Sequence, residues 1–214
     1  MVKFEDKEFV PFHVEEFKSN LKSVLVKLEE EFLWRMHTYF GLNEAPKPAE
    51  IKFRGYPGAS FVLPDGHIEL GFSPDDFDYF NCMNNLDECA FSCAHESGHY
   101  LHYLANPGHF TFKTPYCKIK TPVERDAYLE KETIAELSTL AFFEFSQREF
   151  PKSIIKHNHN PLPEAIYSIY RKKGIDYCLR TINSLVNQKY TYEDYQIMRE
   201  IGIKAWNPRR PVIK

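Results

Sequence analysis

The sequence predicts an α+β fold that is mostly helical, with a small, mainly antiparallel sheet packed against one of the helices. Apolar side chains recur every three or four residues over residues 14–40, and short runs suited to strands follow at residues 51–72. Two later runs carry helix-capping signals. A chain of 214 residues can bury a full core, so we expect one domain over residues 1–214, with an N-terminal lobe to residue 105 and a helical C-terminal lobe from residue 106.

The first predicted helix covers residues 14–40, and Gly41 is its expected stop. Its apolar positions repeat at helical spacing, at Phe17, Leu21, Leu25, Leu28, Phe32 and Met36. After a proline-containing linker, three short strands are expected, at residues 51–53, 59–63 and 67–72. Pro64-Asp65-Gly66 predicts a hairpin turn between the last two strands.

Residues 86–105 predict a second helix. Asn85 can cap its N-terminus, with Glu88 at capping-box spacing, and Asn106-Pro107-Gly108 ends it. Gly98, inside this helix, costs about 1 kcal/mol of helix propensity relative to alanine. A residue this small is expected there if another backbone or a substrate passes close by; the alternative is that the helix merely tolerates a glycine at this position.

His95-Glu96-Ser97-Gly98-His99 reads H-E-x-x-H and lies within this helix. Residues four apart share one face of a helix, so the two imidazoles can converge on one zinc ion. Glu96 is the candidate general base, because it can take a proton from a metal-bound water. A chain of this composition contains the motif by chance about 4 times in a hundred, so the prediction also needs a third ligand.

His102 is not expected to be that ligand. It lies about 10 Å from His95 along the helix axis, and metal–nitrogen bonds of about 2 Å cannot bridge that distance. A role beside the ligands, or an ordinary buried or surface position, is expected for it instead.

A third predicted helix, at residues 123–150, supplies a better candidate. It starts at the capping box Thr121-Pro122-Val123-Glu124 and contains neither glycine nor proline before Pro151. Glu132 and Glu136 project from one face of it. One carboxylate can bind zinc, and the other can accept the free N–H of a ligating histidine.

These two segments resemble the gluzincin metallopeptidases, in which H-E-x-x-H is followed on a second helix by E-x-x-A-(D/N). Residues 132–136 read E-T-I-A-E, and the pattern is similar to that of the ImmA/IrrE-type soluble peptidases and the archaeal minigluzincins. The resemblance covers residues 86–141 only. It implies a zincin-like fold, one zinc ion bound by His95, His99 and Glu132, and Glu96 as general base and acid. Glu136 stands where these families have Asp or Asn, which leaves both glutamates as candidates for the third ligand.

The expected function is that of a zinc metalloendopeptidase, a hydrolase acting on peptide or protein substrates. One alternative is an ImmA/IrrE-like regulatory protein that cleaves or binds a repressor. Another is a non-catalytic zinc-binding protein, whose closed site would need a fourth protein ligand such as cysteine. A latent form, with residues 206–214 lying in the cleft, is a further hypothesis.

Composition excludes several partners. The net charge of −3 offers no basic surface for nucleic acid, and no stretch approaches the 18 apolar residues of a membrane span. The N-terminus lacks the apolar core of a signal peptide, which favours a cytoplasmic location. The five cysteines show no disulfide-framework spacing, and we expect them to be mostly buried thiols.

The C-terminal part predicts further helices at residues 163–172, 175–188 and 192–201. Before them, His157 and His159 are candidates for stabilising a tetrahedral intermediate. Four tyrosines are expected to be core or rim residues, with one of them a second candidate for that role: Tyr167, Tyr170, Tyr177 and Tyr195.

Overall fold

The computed structural model of the chain describes residues 14–53, 59–62, 68–72, 86–108, 121–151 and 162–189, together with residues 191 and 193. The helices are α1 (Val14–Met36), a 3-10 helix (His37–Phe40), α2 (Leu86–Ala105), α3 (Pro122–Ser146), α4 (Leu162–Lys173) and α5 (Ile175–Val186). The strands are β1 (Glu50–Phe53), β2 (Ala59–Val62) and β3 (Ile68–Phe72). The described chain is thus mostly helical with a small sheet, as predicted.

The first helix ends earlier than predicted. Its α-helical part stops at Met36, and the last turn, His37–Phe40, is a 3-10 helix that buries Phe40. Gly41 follows in the left-handed region with φ 77°, and its N–H donates to the Thr38 carbonyl. The predicted stop at Gly41 is confirmed, because glycine adopts this conformation without steric cost.

Helix α3 also ends before the predicted residue 150. Gln147 adopts the left-handed conformation at φ 56° and terminates the helix four residues before Pro151. The guanidinium of Arg35 on α1 donates to the Phe145 carbonyl at 3.0 Å, which satisfies one of the carbonyls left open in the last turn. A tertiary contact therefore helps to set this boundary, and proline does not. At its other end, the predicted capping box of Thr121 and Glu124 is confirmed.

The prediction of a mainly antiparallel sheet is wrong. The strand order is β1-β3-β2; β2 pairs antiparallel with β3, as the predicted hairpin requires, but β1 pairs parallel with β3. The parallel register places Ile51 opposite Leu70, and both side chains are buried. Burial of these two side chains favours the register that brings them together. On the other face, Lys52 Nζ lies 2.7 Å from a carboxylate oxygen of the buried Glu69.

The core lies where α1, α2, α3 and α5 meet, and the sheet packs beside α1 and α2. The largest fully buried side chains are Phe32, Phe40, Phe72, Phe142, Leu25, Leu33, Met36, Ile51, Leu70, Leu101 and Ile134. Phe32 and Phe142 join α1 to α3, with ring centroids 5.4 Å apart. The two helices that carry the H-E-x-x-H motif and the two glutamates, α2 and α3, therefore both belong to the core of the described residues.

Several predictions lie outside the described residues: the Pro64-Asp65-Gly66 turn, the Asn85 cap, His157 and His159, the helix at residues 192–201 apart from residue 193 (and with it Tyr195), and the tail at residues 206–214. The division into two lobes stays a prediction. Among the described helices, none is both long and apolar enough to cross a membrane.

Candidate metal centre

The site depends on a close approach of α2 and α3 at Gly98. A Cβ atom placed on Gly98 would lie 3.0 Å from the Cα of Ala135 and 2.5 Å from the hydroxyl oxygen of Ser138. Only a residue without a side chain allows this spacing. The small residue in H-E-x-x-H therefore serves the approach of another backbone, which is one of the two reasons that the sequence suggested.

The approach brings His95, His99 and Glu132 together. The Nε2 atom of His95 lies 3.4 Å from one carboxylate oxygen of Glu132, and the Nε2 atom of His99 lies 3.6 Å from the other. The two imidazole rings are perpendicular, with centroids 4.9 Å apart. One ligand atom from each residue lies within 4.8 Å of the other two, so the group could hold a metal ion.

Tetrahedral zinc binds nitrogen and oxygen at about 2.0–2.1 Å, which places two ligand atoms about 3.3 Å apart. The separations of 3.4 and 3.6 Å are close to this value, and each is measured to a different oxygen of Glu132. With one ligand atom taken from each residue, the three atoms lie within 4.8 Å of one another. Two neutral nitrogens and one carboxylate are also a common donor set of zinc sites that keep a position for water.

Glu136 lies at the opposite ring nitrogen of His95 from Glu132. One of its carboxylate oxygens is 3.4 Å from the Nδ1 atom of His95, while the Nε2 atom of the same ring faces Glu132. Glu136 thus lies within ion-pair distance of the nitrogen that would not bind the metal, where a carboxylate can accept a hydrogen bond from the Nδ1–H group and orient the ring. Of the two candidate third ligands, the geometry favours Glu132, because it reaches both histidines.

Burial and charge together determine the protonation of the three clustered side chains. His95 is 16% exposed, His99 is 12% exposed and Glu132 is 15% exposed. Burial lowers the pKa of His99 to about 3, so its ring is neutral. Burial also lowers the pKa of His95, but Glu132 and Glu136 at its two nitrogens raise it well above the usual value. Burial raises the pKa of Glu132, but the histidines lower it overall. The carboxylates of Glu132 and Glu136 therefore favour a positive charge on the ring of His95.

Glu96, the predicted general base, follows His95 on α2 and is 7% exposed. Its neighbour Ser97 is buried on the side of α2 that faces α1, where the thiol of Cys93 donates to the Leu25 carbonyl.

Other residues singled out from the sequence lie apart from the cluster. His102 is buried, at 1% exposure, and is not among the three residues grouped around the candidate cation position. Cys89, Cys93 and Cys178 are buried thiols without disulfide bonds, as expected for the described cysteines. Among the tyrosines, Tyr177 is buried, and Tyr167 stacks on Phe150 with ring centroids 5.2 Å apart.

Phe91 was not predicted to belong to the site. Its ring stacks against that of His95 at 6.3 Å and meets Phe150 edge-on at 5.6 Å. Phe91 lies four residues before His95, so the spacing that pairs the two histidines could have identified it. These aromatic rings pack along one side of the cluster, and Phe91 is buried.

No known protein family, curated protein or solved structure matches this chain. The resemblance to gluzincins therefore depends on the motif residues and on the geometry that brings them together.

Proposed function

We propose that the protein is a zinc-dependent endopeptidase with a zincin-like fold, in which His95, His99 and Glu132 bind the metal. The observation that carries the proposal is the spacing of their donor atoms, 3.4 and 3.6 Å, beside an H-E-x-x-H glutamate. Among the described residues, the group contains three ligands, which leaves one tetrahedral position for water or substrate. Glu96, which follows His95 in the motif, supports a catalytic site, because it can act as general base on a water in that position.

A zinc ion bound there would lower the pKa of a coordinated water and polarise the carbonyl of a scissile peptide bond. Glu96 would take a proton from the attacking water on a carboxylate oxygen and pass it to the leaving amine nitrogen. Glu136 would accept a hydrogen bond from the Nδ1–H group of His95 and so keep the Nε2 lone pair directed at the metal position. Phe91 and Phe150 would exclude water from one side, which strengthens electrostatic interactions within the site.

The test uses Glu96→Gln, with Glu149→Gln as the control because Glu149 is exposed and follows the end of α3. We expect purified wild-type protein to contain about one zinc per chain and to cleave casein or an unstructured peptide in a chelator-sensitive manner. Glu96→Gln should keep the metal and lose at least about 100-fold in cleavage rate. Full cleavage by Glu96→Gln, or purified protein that binds no metal, would contradict the proposal.

A further inference from the structure

Glu29, on the opposite side of α2 from the metal cluster, is a buried carboxyl group that the proposed mechanism does not use. Glu29 belongs to α1, and the residue is completely buried, at 0% exposure. One oxygen accepts the backbone N–H of Ala49 at 2.8 Å. The other oxygen is buried and has no hydrogen-bond partner among the described residues. Carboxylates are rarely left this way, because an ionised carboxylate loses its hydration on burial.

The Ala49 N–H belongs to the linker that joins the 3-10 helix to β1. Most of this linker is exposed, but two side chains fix its end. Glu29 holds Ala49 to α1, and the hydroxyl of Tyr100 on α2 donates to the Lys47 carbonyl at 2.8 Å. Tyr100 directly follows the candidate ligand His99, so the linker contacts the helix that carries the metal cluster.

Among the described residues, the interactions that shift the pKa of Glu29 come from burial, the Ala49 N–H and Glu30, and none of these is a cation. Burial is the main reason why the pKa of Glu29 is raised to about 8, and the Ala49 N–H opposes this while the neighbouring Glu30 adds to it. From α2, the titratable groups that face Glu29 are the Cys93 thiol and the Tyr100 hydroxyl; burial, and then the negative charge of Glu29, raise the pKa of both. Glu29 is therefore neutral at pH 7 and holds its proton inside the protein.

We propose that Glu29 is a pH-sensitive latch, which holds the linker and the start of β1 to α1 while it is neutral and releases them when it ionises. On ionisation the proton passes to solvent, and the carboxylate then needs water or several N–H donors. The helices α1 and α2 are fixed by their buried side chains in the core, whereas the linker is largely exposed to solvent. Movement of the linker is thus the smallest change that lets water reach the carboxylate.

The experiment measures hydrogen exchange of the amides at residues 43–53, between pH 6 and 10, after correction for the intrinsic pH dependence of exchange. The wild type is compared with Glu29→Gln, whose amide oxygen still accepts the Ala49 N–H but cannot ionise, and with Glu30→Gln as a matched exposed control. We expect protection in the wild type to fall about tenfold per pH unit above pH 8. Glu30→Gln should show the same slope from a somewhat lower pH, because the charge of Glu30 adds to the raised pKa of Glu29. Protection in Glu29→Gln should not change over this range.

Wild-type protection that stays constant between pH 7 and 10 overturns the latch, and so does the same decline in Glu29→Gln. If that variant does not fold, a carbon-13 titration of the glutamate carboxyl groups in the wild type decides. A Glu29 signal that titrates near pH 4, the ordinary range for glutamate, also overturns the proposal. Neither measurement depends on peptidase activity, so the latch and the proposed function can fail separately.

Discussion

Gly98→Ala tests whether the approach of α2 and α3 sets the metal cluster. A new Cβ would lie 2.5 Å from the Ser138 hydroxyl and 3.0 Å from the Ala135 Cα, whereas ordinary contact begins at 3.4 Å. The shortfalls are therefore 0.9 Å (3.4 − 2.5) at a side chain and 0.4 Å (3.4 − 3.0) at a backbone atom. Ser138 can rotate if it gives up its 2.8 Å hydrogen bond to the Ala135 carbonyl. The backbone atom cannot rotate away, so the helices must separate.

Two effects on stability oppose each other. Alanine gains about 1 kcal/mol over glycine in a helix. Overpacking costs about 1–3 kcal/mol. We therefore expect a net destabilisation of up to about 2 kcal/mol. The effect on metal binding should be larger, because ligand distances tolerate only about 0.2 Å of change and the separation required is about twice that. We expect zinc affinity to fall about 10–100-fold, as when a supporting contact of a metal site is lost.

The assay is zinc competition against a chromogenic chelator, combined with denaturant unfolding. Gly108→Ala is the matched control, because a Cβ there meets nothing within 4 Å. Adding Ser138→Ala to Gly98→Ala removes the 2.5 Å contact and should restore part of the affinity. A Gly98→Ala protein that binds zinc with wild-type affinity and is about 1 kcal/mol more stable would refute the reasoning, since only the helix-propensity gain would then remain.

Three further predictions follow from the described contacts. Glu132→Ala should abolish zinc binding, while Glu136→Ala should retain zinc with about 10–100-fold lower affinity; equal metal content in the two variants, measured by elemental analysis, would contradict these assignments. Because the folded-state pKa of Glu29 is raised from 4.5 to about 8, the unfolded chain releases this proton at lower pH than the folded one, so the stability that this carboxyl group contributes is fully present below pH 4.5 and is lost as pH rises to 8. This loss, at most about 5 kcal/mol, should be absent in Glu29→Gln when the free energy of unfolding is measured by urea titration across that range. Phe142→Ala should lose about 3–5 kcal/mol of unfolding free energy, because its ring is fully buried between α1 and α3; a loss below about 1 kcal/mol would argue against that packing.

The sequence alone was sufficient for the local part of the metal centre. The spacing of His95 and His99 depends only on the period of a helix, and the span Leu86–Ala105 follows from periodicity and stop signals. The capping box that starts α3 is equally local, since Thr121 and Glu124 satisfy each other's backbone groups within one turn.

Contacts between distant segments decided the rest. The end of α3 at Gln147 and the parallel pairing of β1 with β3 depend on Arg35 and on Ile51 meeting Leu70, neither of which a local pattern reveals. The choice of Glu132 over Glu136 required the actual crossing of α2 and α3, because two glutamates four residues apart look equivalent along a helix. In the sequence, Glu29 is indistinguishable from the other glutamates of α1. Only the tertiary structure shows that the linker packs against it through the Ala49 N–H. Periodicity fixes which residues share a face, but which groups are dehydrated and how far apart they lie depends on what packs against that face.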